Sequence, residues 1–252
     1  MIVYRCEDTL ESVFTAIYRA YEEKRNHDDT LLCLTEDPIL FAEDVPVAAD
    51  ENRTRKVMGT LERRFGRDDC ERLIMALASE DEEKAQAVYR TVVQGLRGKS
   101  RPGHLFDNLA DRDIHKAFAL ARGVSTEVGH QRQFLRFQEL ADGMLFSRIG
   151  PKNDVIVFLM PHFADRLPIE NFVLYDEIRN LFGIHPAGKP WYLLRGEEAD
   201  RPEGLRYSDR EWQYQELFRQ FCHTITVEGR ENRKLQKGML PLRFREYMVE
   251  FS

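Results

Sequence analysis

The sequence predicts an α+β fold, and three observations lead to this class. Helical periodicity dominates the first half of the chain, strand-like segments separated by turn signals follow, and helical patterns return at the end. Helices and strands that are segregated along the chain are typical of α+β proteins, whereas strict alternation indicates a parallel α/β sheet. We therefore expect a helical N-terminal half packed with an antiparallel β-meander and C-terminal helices.

The N-terminal region is predicted to be mostly helical after one short strand. Residues 2–4 are strand-like, and Asp8 or Thr9 is positioned to cap the helix that follows. Residues 26–50 are acidic, contain two prolines and show no sustained period, so we expect an irregular stretch there. Three further helices are predicted, one capped by Asp50, one over residues 68–79 and one over residues 81–97.

The period of the apolar residues changes after a long helix predicted at residues 111–132. Asp142-Gly143 between two strand-like segments is a strong hairpin signal, and the nearly all-apolar residues 155–160 are predicted to form a central strand. The other strands are predicted at residues 134–140, 144–149, 172–175, 178–184 and 191–194. The C-terminal helices are predicted at residues 208–223, 230–237 and 241–248.

A break at residues 98–103 is the best internal boundary, because Gly, Ser and Pro interrupt the helical pattern there. The chain then divides into an N-terminal, mostly helical region with an acidic head, residues 1–101, and an α+β region, residues 102–252. The alternative is one continuous domain, for which the length of 252 residues is also suitable.

The formal net charge of −6 averages two differently charged parts of the chain. Residues 1–50 hold 4 Lys and Arg against 12 Asp and Glu, a balance of −8. The other 202 residues hold 33 against 31, a balance of +2. The acidic head therefore does not prevent the rest of the chain from binding an anionic partner such as DNA.

Several classes of protein are excluded by what the sequence lacks. It has no apolar run of about 18 residues that would span a membrane, and no secretory signal at its start. Its four cysteines are far apart, which favours reduced thiols in the cytoplasm over a zinc site. Phosphate-binding glycine loops and zinc-protease motifs are missing, so we expect neither a bound metal nor a cofactor.

Glu127 and His130 form the first candidate site, at the end of the predicted long helix. Residues three apart share a helical face, so the carboxylate could orient the imidazole for proton transfer or complete a metal site with a further ligand. The alternative is an ion pair at the end of the helix.

Phe134 and Arg136 form a second candidate, on the strand predicted at residues 134–140. Alternate residues of a strand share a face, and an aromatic ring beside a guanidinium group is a plausible platform for nucleic-acid bases. The alternative is an ordinary strand with one buried and one solvated face.

His162 is the centre of a third candidate, because it directly follows the most apolar segment. Arg166 could bind a phosphate there, and Asp176 with Arg179 could pair with His162 or Arg166 from the next strand. A capping histidine with structural salt bridges explains the same residues.

The segment 228–245 is the most basic part of the chain, with six Lys and Arg against two acids. This pattern favours phosphate contacts, and an ordinary solvated basic face is the alternative. The candidate nucleic-acid contacts here are Arg230, Asn232, Lys237 and Arg243.

Four ordered motifs resemble a family of bacterial proteins called domain of unknown function 4130, described as probable DNA-metabolism proteins. They are ExxH through FLRF to DG at 127–143, PHFADR at 161–166, IENFVLYDEIR at 169–179 and RENRKLQKGMLPLRF at 230–244. The resemblance runs along nearly the whole chain. The residues that match the family are Glu127, His130, Phe134, Arg136, Phe137, His162, Phe163, Arg166, Asp176, Arg179, Arg230, Asn232, Pro241 and Arg243.

The resemblance implies a DNA-repair accessory protein that binds DNA and acts with a partner. That partner would be a radical-SAM DNA modification or repair protein, or a uracil-DNA-glycosylase-like protein of the kind to which the domain is fused elsewhere. Two alternatives remain open. One is an enzyme that processes nucleotides or nucleic acids at a site centred on His162, with Asp176, Glu127 and His130 as further catalytic candidates. The other is a protein-interaction scaffold.

Overall fold

The computed structural model describes residues 1–98, 101–197, 201–202, 204–225 and 232–251. The chain divides into two compact units. Unit 1 comprises residues 1–126 and 152–154, and unit 2 comprises residues 127–151 and 155–252. The α+β class is confirmed, with helices before and after the strands of the larger sheet. The predicted boundary at 98–103 includes residues 99 and 100, which lie outside the described residues, and a division after residue 101 stays a prediction.

Unit 1 contains a three-stranded parallel sheet in the order β2-β1-β3. These strands are β1 (Ile2–Cys6), β2 (Thr30–Cys33) and β3 (Glu43–Val47). β1 is predicted by the sequence, but the prediction of an irregular stretch at 26–50 is wrong for the other two. Pro46 argues against a strand at residues 43–47 because proline cannot donate a backbone hydrogen bond. It is tolerated in β3 because β3 lies at the edge of the sheet.

Helices pack around the core of unit 1. They are α1 (Leu10–Glu22), α2 (Glu51–Phe65), α3 (Arg67–Leu77), α4 (Lys84–Arg97) and the start of α5 (Arg112–Phe134). As predicted, the Thr9 side chain accepts a hydrogen bond from the backbone N–H of Ser12, and Asp50 caps α2 through Arg53 N–H. Gly66, with φ of +85°, separates α2 from α3.

Unit 2 contains a five-stranded sheet in the order β4-β5-β6-β7-β8. The strands are β4 (Gln138–Glu139), β5 (Leu145–Ile149), β6 (Phe172–Asp176), β7 (Leu181–His185) and β8 (Tyr192–Arg195). The predicted hairpin is confirmed, since β4 and β5 pair antiparallel around Gly143 with φ of +85°. The sheet is not antiparallel throughout, because β5 and β6 run parallel.

The predicted central strand at residues 155–160 is wrong, because this segment begins helix α6 (Ile156–Arg166). A short apolar run does not distinguish a buried strand from a buried helix. The period becomes visible only when the following residues are included, since Ile156, Leu159, Met160 and Phe163 are buried at helical spacing. The helix makes the crossover that parallel strands require, and β5 and β6 are parallel for this reason.

The remaining helices of unit 2 are α7 (Asp209–Ile225), α8 (Arg233–Met239) and α9 (Leu242–Arg245). They match the predicted C-terminal helices to within a few residues. Among the described residues, no helix combines the length and apolar character needed to cross a bilayer.

Candidate functional site

The last turns of α5 carry three candidate residues on one face. Glu127, His130 and Phe134 follow one another at spacings of three and four residues, which places them above one another on a helix. Phe244 of α9 packs against this face, with its ring centroid 5.5 Å from that of His130 and 5.7 Å from that of Phe134. These segments, far apart in the sequence, thus form an aromatic cluster of His130, Phe134 and Phe244.

An ion pair borders the aromatic cluster. Arg243 Nη2 lies 3.1 Å from Glu127 Oε1, and the Glu127 side chain is only 2% exposed. The Arg243 side chain is 44% exposed, and its guanidinium group lies 5.0 Å from the centroid of the Phe244 ring. A guanidinium group that is paired on one side and open on another can donate hydrogen bonds to a phosphate oxygen, and it keeps its carboxylate partner in the free protein.

The imidazole of His130 has an unused polar atom. Its Nδ1 is buried and has no hydrogen-bond partner among the described residues. The ring stacks on Phe134 at an interplanar angle of 29° and meets Phe244 edge-on. Because buried polar atoms usually have partners, Nδ1 is a candidate to contact a bound molecule or water.

A cleft of about 420 Å³ lies in unit 2, beside the segments that follow α5 and α9. It has both cationic and aromatic walls. Its charged groups come from Arg136, Arg148 and Glu246, and its aromatic rings from Phe146, Tyr207 and Tyr247. A cleft of this size and composition can hold a small planar ligand with an anionic group.

Arg136 is fixed at one wall of the cleft. Its Nη2 lies 2.9 Å from Glu250 Oε1, and its Nη1 donates to the carbonyl oxygens of Gln133 and Leu135. The prediction that Phe134 and Arg136 share a strand face is wrong, because α5 continues to Phe134 and β4 begins only at residue 138. Helix propagation through residues 133 and 134 overrides the alternating pattern, and the role of both residues in nucleic-acid binding stays a prediction.

Arg148 of β5 is held more loosely. Its side chain is 56% exposed, and its Nη1 lies 3.6 Å from Glu177 Oε2, beyond hydrogen-bond distance. Tyr247 donates its hydroxyl proton to the other oxygen of Glu177, and Arg148 lies 5.7 Å from the centroid of the Tyr247 ring. Burial and the nearby carboxylate raise the pKa of Tyr247, so that the hydroxyl remains a donor at neutral pH. Because Arg148 is exposed and its contact with Glu177 is long, its guanidinium group is available to an anion in the cleft.

His162 lies in a separate basic patch on α6. Its imidazole is half-buried, and its pKa is lowered by burial and by the charges of Arg132 and Arg166, with Asp165 opposing them. Arg132 is anchored by a hydrogen bond from its Nη2 to the carbonyl oxygen of Phe158. The imidazole is therefore neutral at pH 7, with two guanidinium groups near it.

Asp176 and Arg179 pair with each other instead of serving His162. Arg179 Nη1 lies 3.1 Å from Asp176 Oδ2, while Asp176 Oδ1 accepts from the backbone N–H groups of Ile178 and Arg179. Burial raises the pKa of the Asp176 carboxyl, and Arg179 opposes this shift. No described contact joins Asp176 to His162, so the pair has the geometry of a locked β-turn between β6 and β7.

The basic C-terminal candidates are placed only in part. Asn232 caps α8, because its side-chain oxygen accepts from the backbone N–H of Leu235. Arg230 lies outside the described residues, and so does the side chain of Lys237. Among the described residues, no group of three or more His, Cys, Asp or Glu side chains is arranged to hold a metal ion.

Sequence reasoning missed Arg148 and Tyr247, which complete the cleft. Arg148 is two residues from Phe146 on β5, so the alternation of a strand could have placed them on one face. No sequence pattern indicates that Tyr247 lines the cleft, because this depends on the C-terminal segment packing against the larger sheet.

The chain matches a known family model. Residues 82–250, more than half of the chain, match the family model described as "Domain of unknown function (DUF4130)". No curated protein and no solved structure matches the chain. The matched residues include the aromatic cluster, the Glu127–Arg243 pair and every residue named above that lines the cleft.

Proposed function

The chain belongs to the family of the domain of unknown function DUF4130, and we propose that unit 2 of this member binds single-stranded nucleic acid in its cleft. The observation that carries this proposal is the joint presence of two guanidinium groups and three aromatic rings around one open cleft of about 420 Å³. Proteins that bind single strands combine cationic groups for the backbone with aromatic rings for the bases.

The state of Arg148 supports a phosphate contact. Its only described ion pair, with Glu177, is 3.6 Å long, and more than half of its side chain is exposed. A phosphate could therefore replace a weak contact instead of breaking a strong one. The half-buried rings of Tyr207 and Tyr247 then offer faces or edges to an adjacent base, while Phe146, which is buried, closes the wall behind them.

The size of the cleft favours an unstacked base over a duplex. Bases inside a double helix are stacked on both faces, so a side chain can stack on a base only when the strand is single or the base is turned out. Arg243 beside Phe244 offers a second phosphate contact near the same chain segments. Arg132 of α5 and Arg166 of α6 offer a third.

The protein would act in the bacterial cytoplasm as an accessory in DNA metabolism or repair. In this proposal the described residues bind and present the strand, and a radical-SAM or uracil-DNA-glycosylase-like partner carries out the chemistry. The family resemblance supports this division of labour.

Fluorescence anisotropy with a labelled single-stranded oligonucleotide tests the proposal. We expect binding that weakens steeply as salt rises, because phosphate contacts release counterions. Arg148→Ala should weaken binding for every sequence and reduce the salt slope by about 1. Arg67→Ala is a matched control, since Arg67 is an exposed arginine of unit 1 paired with Glu71. Absence of binding at low salt, or equal loss in both variants, would contradict the proposal.

A second candidate function is a hydrolytic or lyase enzyme, and the environment of His162 favours it. A neutral imidazole near Arg132 and Arg166 can accept a proton while the guanidinium groups hold a phosphate. His162→Gln should then abolish product formation from an oligonucleotide without lowering the melting temperature, whereas His104→Gln, an exposed histidine of unit 1, should not. Unchanged strand binding with no turnover in the wild type would favour the accessory role.

A further inference from the structure

A turn in unit 1 presents two large apolar side chains to solvent. Leu40 is 80% exposed and Phe41 is 98% exposed, and they are the central residues of a turn closed by a hydrogen bond from Ala42 N–H to the carbonyl oxygen of Ile39. Single exposed apolar residues are common, whereas two large adjacent ones form an apolar patch that a partner can cover. We call Leu40 and Phe41 the tip.

Arg5 of β1 holds the loop that carries the tip. Its Nη1 and Nη2 donate to the carbonyl oxygens of Thr35 and Asp37 at 2.7 and 2.8 Å, and its Nε donates to Asp44 Oδ1 at 2.8 Å. The guanidinium group thus ties both ends of the loop to the sheet. A tip that is fixed before binding loses little conformational freedom when it binds.

Phe41 also adopts an unfavourable backbone conformation. Its φ is +62°, in the left-handed region that favours glycine or asparagine, and a bulky side chain is rare there. A phenylalanine that is 98% exposed gains almost no packing within its own chain to offset this strain. Strain at an exposed residue indicates a role outside the folding of the chain.

Unit 1 also contains an apolar pocket of the right chemistry to receive the tip. The pocket measures about 210 Å³ and lies between α1, α2 and α4. Its walls include Ile17, Tyr18, Tyr21, Val57, Leu61 and Leu96. An aromatic or aliphatic side chain inserted there would contact almost only carbon atoms.

The charges around the two features are complementary. Lys56 lines the pocket, and its Nζ lies 5.3 Å from the centroid of the Tyr18 ring. Arg53 also lies over this ring, but it is paired with Glu22 and Asp50, so Lys56 is the cation that the pocket offers to a partner. The exposed acids Glu36 and Asp37 precede the tip and Glu43 follows it, and none of the three has a described ion pair. The acids beside the tip and Lys56 at the pocket attract each other, whereas two tips repel each other.

We propose that the tip of one copy of this chain inserts into the pocket between α1, α2 and α4 of a second copy. Reciprocal insertion would bury both tips and both pockets in one two-fold interface, which closes the assembly as a dimer. This inference rests on unit 1 alone and is independent of nucleic-acid binding by unit 2.

Analytical ultracentrifugation of the full chain over a range of concentrations tests the proposal. We expect the wild type to form dimers, and Phe41→Ala to raise the dissociation constant about a thousandfold, because the two-fold dimer loses two interface anchors that cost about thirtyfold each. Thr60→Trp, which fills the pocket from its wall, should have the same effect without altering the tip. Ile169→Ala removes a side chain of unit 2 that is 78% exposed and should leave the dimer unchanged.

Mixing the two defective variants separates this model from general damage. Phe41→Ala keeps its pocket and Thr60→Trp keeps its tip, so an equimolar mixture should regain a heterodimer with one of the two contacts. A monomeric wild type, or a mixture that regains no heterodimer, overturns the proposal. Binding of the tip to phosphatidylcholine vesicles, lost in Phe41→Ala, together with a monomeric wild type would assign the tip to a lipid surface instead.

A second variant checks the strain at the tip. Phe41→Gly relieves the positive φ, so at a concentration where the chain is monomeric its melting temperature should be higher than that of the wild type. The same variant should lose dimerisation. A melting temperature below the wild-type value would mean that Phe41 stabilises its own unit, which contradicts a role in binding.

Discussion

Two carboxylate–arginine pairs of unit 2 have the same chemistry and different settings. Asp176–Arg179 and Glu127–Arg243 both join a carboxylate that is at most 2% exposed to a guanidinium nitrogen 3.1 Å away. The first pair is local, and the aspartate also accepts two backbone hydrogen bonds in its turn. The second joins residues 116 positions apart and leaves 44% of the arginine side chain exposed over an aromatic ring.

The exposure of the arginine distinguishes a structural ion pair from one that is a candidate to bind a ligand. In the Asp176–Arg179 pair the carboxylate accepts the hydrogen bonds of its own turn, and the arginine side chain is only 21% exposed. In the Glu127–Arg243 pair the carboxylate compensates a cation that is partly exposed and lies against the buried ring of Phe244. Burial of the carboxylate is the same in both, so the exposure and neighbours of the arginine decide the interpretation.

The largest expected effect is on the structural pair. Asp176→Ala leaves Arg179 without its described carboxylate partner and two backbone N–H groups without their acceptor, so we expect a loss of about 3–5 kcal/mol in the free energy of unfolding. Urea denaturation measures it. Asp165→Ala, at an exposed position of α6, is the control and should have little effect. Strand binding of the folded Asp176→Ala protein should be unchanged; a selective loss of binding would move this pair into the site.

A third pair, Arg148–Glu177, can be altered through Gly150. A Cβ at this position would collide with the Tyr247 hydroxyl group. Gly150→Ala should therefore displace Tyr247 from Glu177, destabilise the protein by about 1–3 kcal/mol and let Glu177 capture Arg148. Anisotropy should show weaker strand binding. Tyr247→Phe removes the hydroxyl oxygen with which the new Cβ collides. The double variant Gly150→Ala/Tyr247→Phe should therefore be more stable than Gly150→Ala alone, and equal or lower stability would show that the collision is not the cause.

A conservative substitution at Arg243 tests the Glu127–Arg243 pair. Arg243→Lys keeps the charge but loses the planar group over Phe244, so we expect strand affinity to fall about tenfold. The same replacement at Arg179 should leave affinity unchanged. Equal affinity loss in both variants would remove the distinction between the two pairs.

The smallest expected effect concerns pH. The pKa of His162 is lowered in the folded protein, mainly by burial, so the unfolded chain binds its proton more tightly. The stability that this group contributes is present above its unfolded pKa of about 6.5 and is lost as pH falls through the folded pKa. In urea titrations, the free energy of unfolding of His162→Gln should depend less on pH over this range than that of the wild type.

The pKa of Asp176 is raised, so its contribution to stability has the opposite pH dependence: it is present below about pH 4 and is lost as pH rises through the folded pKa. Asp176→Asn should remove this loss of stability.

Local features were predictable from the sequence, and long-range ones were not. The caps at Thr9 and Asp50 and the turn at Gly143 depend on neighbouring residues and are confirmed. The strand predicted at residues 155–160 is wrong because its apolar run fits two periods. Glu127 and His130 were recognised as neighbours on a helix, but the partner Arg243 is supplied by α9, which no spacing rule connects to α5.

The central claim is that the cleft of unit 2 holds a base of a single strand. Photocrosslinking an oligonucleotide that contains 5-iodouracil, followed by mass spectrometry of the peptides, tests it most directly. We predict adducts at Tyr247, Tyr207 or Phe146, and their loss when unlabelled strand competes. Adducts confined to unit 1, or none in the segments that line the cleft, would contradict the claim.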